Sequence, residues 1–296
     1  MTLFTPEMLK SFQPKHSFLI GIDSDGCVFD SMEIKHKECF CPAFINHFGL
    51  QAVSKYAREV WEFVNLYSTT RGFNRFKTVI RALDLLADRH EVRIRKVEVP
   101  KLNSLRDWVK RENKLGNPAL EAEIERNPDP ELKRVLAWSL DVNAAVKKIV
   151  RAVPPFPHVR ESLEKLKKNA DIVVVSQTPN EALIREWQEN EIDSFAELIC
   201  GQELGTKTEH LQMVSEGKYP KEHVLMVGDA PGDLKAAQDN EALFYPINPG
   251  KEEASWNRFL NEAIDNFFDG TYAGVFEKAR IDEFQSVLPE EPPWKK

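Results

Sequence analysis

The sequence predicts an α/β protein: a Rossmann-like, doubly wound parallel sheet with an all-helical domain inserted into it. Three observations carry that expectation. Short apolar runs without polar alternation, FLIGI at 18–22 and IVVV at 172–175 among them, read as strands buried on both faces. Beyond residue 154 such runs alternate with helical stretches, the order of a parallel sheet wound with helices. Between the first run and the others, residues 32–150 are helical almost throughout. The sheet domain is therefore discontinuous, 1–31 with 151–296, and the helical domain sits inside it.

Composition narrows the class. The 296 residues can form one large domain or two ordinary ones, and 42% apolar content is that of a globular chain. A net charge of −7 argues against a general nucleic-acid binder. The stretch MTLFTPEMLKSFQPKH lacks the long apolar core of a signal peptide, and no run reaches the length of a membrane span, so no membrane partner is expected. Cys27, Cys39, Cys41 and Cys200 are too few and scattered for a disulfide framework, which favours a reducing cytoplasm.

Taken in order, residues 1–17 read as a short helix or arm leading into the first strand. The insertion then divides into helices beginning EIKHKECF, SKYAREVW, FNRFKTVI, VPKLNSLR, PALEAEIE and PELKRVLA. Their apolar residues recur at three- and four-residue steps, and prolines or glycines punctuate them. The piece VRIRKVEV (92–99) is ambiguous. Pro154-Pro155-Phe156-Pro157 marks a rigid connection, after which HVRESLEKLKKNA is a helix and DIVVVSQ the second strand. NEALIREWQENEI, TEHLQMVSEG and DLKAAQDN are helices that alternate with the strands AELICG, HVLMVGD and ALFYPI. Residues 251–296 add helical, aromatic-rich material, Trp256 included, that reads as core or packing surface. Its apolar helices could also pair two copies, so monomer and homodimer both fit. The last stretch, PEEPPWKK, is expected to fray.

The chemistry lies at the carboxyl ends of the strands, where open α/β sheets place their ligands. The first strand runs into Asp23 and Asp25. Residues two apart on an extended chain point the same way, so both carboxylates can reach one small site. Adjacent like charges repel unless a proton or a cation intervenes, which implies a bound metal, a protonated acid, or both. The second strand ends at Ser176, followed by Gln177 and Thr178; the fourth ends at Asp229, with Asp233 shortly after; Lys207 stands at an expected helix start in GTKTEHL. Singly, these residues are ordinary turn, cap or surface positions. Together they put a hydroxyl, a lysine and several carboxylates on one sheet edge.

This constellation resembles the haloacid dehalogenase-like hydrolase superfamily. Asp23-Ser-Asp25-Gly-Cys-Val28 matches its first motif, Ser176 the second, Lys207 the third, and Gly228-Asp229-Ala-Pro-Gly-Asp233 the fourth. The likeness covers about 18–33 and 154–250, and the insertion stands where that superfamily places a type 1 helical cap. FPHVRESLEKL is similar to the phosphoglycolate phosphatase-like branch. Cys27 replaces the usual threonine or valine, and Thr208 follows the lysine where many relatives have proline. The resemblance implies a nucleophilic Asp23, an acid–base Asp25, and Ser176 and Lys207 holding phosphoryl oxygens. It implies Mg²⁺ bound by Asp23, the Asp25 backbone carbonyl and Asp229, with Asp233 a ligand or a neighbour of one. Relatives that cleave carbon–halogen or carbon–phosphorus bonds lack the second aspartate. Its presence favours hydrolysis of a small phosphorylated metabolite, with phosphomutase activity as the variant and a non-catalytic ligand- or partner-binding member as the alternative class.

In the insertion, STTRGFNR (68–75) is the candidate substrate-selecting loop, with Arg71, Arg75 and Lys77 available to an anionic substrate and Gly72 allowing a tight turn. Set against this is an ordinary helix–helix loop with solvated arginines. His36, Cys39, Cys41 and His47 are close in sequence, but helical spacing puts His36 and Cys39 on one face and Cys41 on another, which argues against a zinc site.

Overall fold

A computed structural model describes residues 5–295. Contacts divide the chain into two compact units, residues up to Met32 with Ala152–Pro289, and Glu33–Arg151 with the segment from Glu290. Among the described residues, no helix is long and apolar enough to cross a membrane.

Among its described residues the first unit holds five parallel strands: β1 (Phe18–Ile22), β2 (Ala170–Val175), β3 (Leu198–Cys200), β4 (Val224–Gly228) and β5 (Leu243–Pro246). Their order is β3-β2-β1-β4-β5, so β1 is central, pairing with β2 on one side and β4 on the other. The apolar runs follow from this placement, because successive residues feed two different cores. Ile20, Ile22, Ile172, Val174, Leu225 and Val227 pack with Trp187, Trp256 and Phe259. Leu19, Val173, Val175, Val224 and Met226 pack with Leu211, Phe244 and Phe284 on the other face. With both faces covered, the strands show no polar alternation, and Asp171, the second residue of β2, is their one charged residue. The aromatic carboxyl-terminal segment completes these cores, and Tyr272 donates its hydroxyl to the Phe244 carbonyl at 2.7 Å.

One buried charge sits near the start of β2, away from the strand tips. Asp171 is 1% exposed and accepts from the Lys15 N–H (2.9 Å), the His16 N–H (3.0 Å) and the Tyr219 hydroxyl (2.7 Å), while His16 Nδ1 lies 3.0 Å from its other oxygen. Burial alone would raise its pKa, but the hydrogen bonds from Tyr219, His16 and Lys15 outweigh it and the net shift is downward. A carboxylate depressed on folding stabilises the protein above its unfolded pKa, about 3.9, and that stability is lost as pH falls through the folded value. Asp171→Asn, which keeps the size but removes the charge, is expected to cost about 2 kcal/mol at pH 7 and progressively less below about pH 4. Denaturant midpoints across that range check it; a difference that does not change with pH would contradict it.

The second unit is helical. Ser54–Leu66, Arg75–Asp88, Asn103–Arg111 and Pro130–Ile149 enclose a core with Phe44, Trp61, Trp108 and Trp138. The ambiguous stretch 92–99 completes a short helix, His90–Ile94, and continues without regular structure. The expectation that the carboxyl-terminal tail frays is overturned. Trp294 lies edge-on to Phe63 at 5.4 Å with the Arg89 guanidinium 4.5 Å above its ring, and Arg81 Nη2 donates to the Glu290 carbonyl at 2.9 Å. One tryptophan in an otherwise proline-rich, charged segment is enough to anchor it.

Candidate active site

β1 delivers Asp23 to the sheet edge, where its N–H still donates to the Val227 carbonyl at 3.0 Å. The chain then turns sharply. Gly26 takes a φ of 78°, the left-handed region that glycine enters without penalty. The N–H groups of Val28 and Phe29 both donate to the Ser24 carbonyl, at 2.9 and 3.1 Å. Two tryptophans fix the turn from below: Trp187 Nε1 donates to Ser24 Oγ (3.1 Å) and Trp256 Nε1 to the Cys27 carbonyl (2.8 Å). Burial first, then the neighbouring aspartates, push the Cys27 thiol well up, so the residue that departs from the family pattern is a neutral, inert wall.

At the end of β4, Asp229 and Asp233 converge on the same point. One carboxylate oxygen from each of Asp23, Asp229 and Asp233 lies within 4.8 Å of the others, and all three residues are buried. Gly228 makes this possible. A Cβ there would lie 2.3 Å from the Asp233 side chain, so any other residue would displace that carboxylate. Asp233 Oδ2 accepts from the Ala230 N–H at 3.0 Å, and its Oδ1 meets Lys207 Nζ at 2.6 Å. Lys207 also reaches Asp23 at 2.8 Å. It opens the helix Lys207–Ser215, whose start is held by a capping box between Thr206 and Glu209.

The charges do not balance. Burial lowers the Lys207 pKa, but Asp23, Asp233 and Asp229 raise it by more, so the ammonium is firmly protonated. Burial, and then repulsion from Asp23, push Asp233 up to about 6 against the opposing pull of Lys207. Three buried carboxylates against one ammonium leave an excess of negative charge that a cation would relieve. The donors are all oxygens, the set that suits a hard divalent ion. The residues present therefore fit the metal that the family resemblance implies.

Asp25, two residues on from Asp23, receives two hydroxyls, from Ser31 and from Thr178 Oγ1, the latter at 2.5 Å. Ser176 is buried, its N–H donating to the Cys200 carbonyl at 2.9 Å and its Oγ accepting from the Thr178 N–H at 3.2 Å. The Ser176 hydroxyl proton is thus left to donate elsewhere. Gln177 Nε2 donates to the Gly205 carbonyl at 2.9 Å, stapling the loop after β2 to the segment leading into Lys207. Thr178 and Ser31 are the residues that sequence reasoning did not single out. Their link to Asp25 is a side-chain contact, and no spacing rule signals it.

Arg71 and Arg75 belong to the helical unit. Arg71 is buried and donates to the Leu66 carbonyl at 2.9 Å. Arg75 Nη1 donates to Ser139 Oγ (2.9 Å) and Asn143 Oδ1 (2.8 Å), and its guanidinium lies 4.9 Å over the Phe40 ring. That nitrogen serves helix packing. In the same loop Gly72 and Phe73 are exposed. Trp61 Nε1 donates to His36 Nδ1 at 3.3 Å, and His47 Nε2 lies 2.6 Å from Asp141.

The family model of the haloacid dehalogenase-like hydrolases matches residues 112–244, which include Ser176, Lys207, Asp229 and Asp233. No curated protein sequence matches the chain. Among solved structures, a candidate phosphoglycolate phosphatase from Lactobacillus delbrueckii subsp. bulgaricus is 17% identical, with 83% of this chain and 92% of that one covered and a TM-score of 0.50. A second candidate phosphoglycolate phosphatase, from Haemophilus somnus, is 16% identical over 79% of this chain and 86% of the other, with a TM-score of 0.48. A candidate β-phosphoglucomutase from Thermotoga maritima is 14% identical over 84% and 99%, with a TM-score of 0.40. The family model matches residues 112–244, and the parallel sheet with an acidic cluster at its edge makes the chain similar to the haloacid dehalogenase-like hydrolases.

Proposed function

We propose that the protein is a Mg²⁺-dependent phosphatase acting on a small phosphorylated metabolite through an aspartyl-phosphate on Asp23. The observation that carries the reading is the buried trio Asp23, Asp229 and Asp233 around Lys207, with a second acid, Asp25, oriented beside it. Asp23 attacks phosphorus, and Asp25 protonates the departing alcohol and later draws the proton from the attacking water. Lys207 and the Ser176 hydroxyl hold phosphoryl oxygens, since a loose phosphoryl transition state needs positioning and neutralised charge above all. Asp23, the Asp25 backbone carbonyl and Asp229 would hold the metal, with Asp233 a ligand or an adjacent acceptor. When bound, the metal supplies charge neutralisation at the phosphoryl oxygens. The loop 68–75, with Arg71 inside and Phe73 outside, is our candidate for substrate selection. Four free, buried cysteines support a reducing, cytoplasmic setting.

The test is phosphate release from a panel of phosphorylated metabolites with Mg²⁺ and after chelation. Release that stops on chelation is the expected result, and the best substrate would name the activity. Interconversion of sugar phosphates without net release would replace the phosphatase by a mutase. Neither reaction with any member would favour a binding protein.

A further inference from the structure

We propose that Thr178 is a positioning residue for Asp25, and that Gly201 and Asn180 in turn position Thr178. This rests on the phosphatase reading, in which Asp25 carries the proton.

The loops that follow β2 and β3 are laced together. The Gly201 N–H donates to Asn180 Oδ1 at 2.6 Å, and the Gln202 N–H to the Thr178 carbonyl at 3.1 Å. The Asn180 N–H donates to Glu203 Oε2 at 2.9 Å. Thr178 thus has its carbonyl held from the β3 side and its N–H held by Ser176 Oγ at 3.2 Å. With its backbone fixed at both ends, its hydroxyl is delivered to Asp25 Oδ2 at 2.5 Å.

Gly201 shows what the lacing requires. Its φ of −101° and ψ of −176° are open to any residue, so glycine is not there for backbone freedom. It is there for space. A Cβ at 201 would lie 2.5 Å from the Thr178 carbonyl oxygen, 2.6 Å from Asn180 Oδ1 and 2.9 Å from Asn180 N. Two of those neighbours are backbone atoms, which cannot swing aside as a flexible side chain would. A side chain at 201 would therefore push the Thr178–Asn180 loop away and carry the hydroxyl off Asp25. None of these three residues needs to touch substrate.

In the step concerned, an Asp23 oxygen forms a bond to phosphorus, the ester P–O bond breaks, and the Asp25 proton goes to the leaving oxygen. A misplaced Asp25 should harm esters in proportion to their need for that proton. Phenyl phosphate needs it; 4-nitrophenyl phosphate, whose phenolate leaves unaided, does not. Thr178→Val keeps the shape and removes the hydroxyl. It is expected to lower kcat/KM at least about tenfold on phenyl phosphate and less than about threefold on 4-nitrophenyl phosphate. Thr178→Ser is expected to restore both to within about twofold. Gly201→Ala should reproduce the valine pattern, with Asn180→Ala as the second variant should the first not fold. Equal losses on both esters, no loss, or no rescue by serine would overturn the proposal alone. No release from either ester by the native protein would overturn the phosphatase reading and this proposal with it.

Discussion

Asp23→Asn is expected to lower phosphate release by at least about 10⁴-fold while the protein stays folded. The amide has the shape of the carboxylate, and its oxygen can keep the 2.8 Å contact with Lys207 Nζ. The backbone link from residue 23 to the Val227 carbonyl is untouched. An amide cannot form the acyl phosphate, however, so the loss isolates nucleophilic attack from packing. Steady-state release and hydroxylamine trapping of the phosphoenzyme give the measurement. Activity within tenfold of native, with no trapped intermediate in either protein, would mean that water attacks phosphorus directly and Asp23 serves only as a ligand.

The acidic edge was legible from sequence because parallel strands buried on both faces announce themselves, and whatever follows their carboxyl ends must share one rim. Asp23, Asp229 and Asp233 could be placed together on that ground. Contacts between loops could not. Thr178 and Asp25 stand 153 positions apart, and nothing in the spacing of either loop points to the other. Gln177 illustrates the limit: nothing in the sequence signals that its Nε2 donates to the Gly205 carbonyl in another loop. Arg75 does so too, since the sequence does not show that Ser139 and Asn143 on another helix accept from its Nη1. The tail failed for a different reason. Proline and charge predict fraying, and the packing of the single ring of Trp294 against Phe63 and Arg89 outweighs that local signal.

Lys207→Met is the second large expected effect: about a 10³-fold loss of turnover and, without divalent cations, a melting temperature several degrees lower. Removing the ammonium leaves Asp23, Asp229 and Asp233 facing one another without the cation that joins Asp23 and Asp233, at 2.8 and 2.6 Å. Lys207 now restrains the rise of the Asp233 pKa, which burial and Asp23 push up to about 6; without it the carboxyl moves higher still. The sign of the pH effect follows. An acid whose folded pKa is raised loses stability as pH climbs from its unfolded value, about 3.9, through the folded one, and regains it on the way down. The variant should therefore melt higher at pH 5 than at pH 7, and Mg²⁺ at pH 7 should raise its melting temperature by more than it raises that of the native protein. A variant that melts like the native one, indifferent to pH and to Mg²⁺, would mean that the cluster is already neutralised by protons and that the lysine contributes little to holding it together.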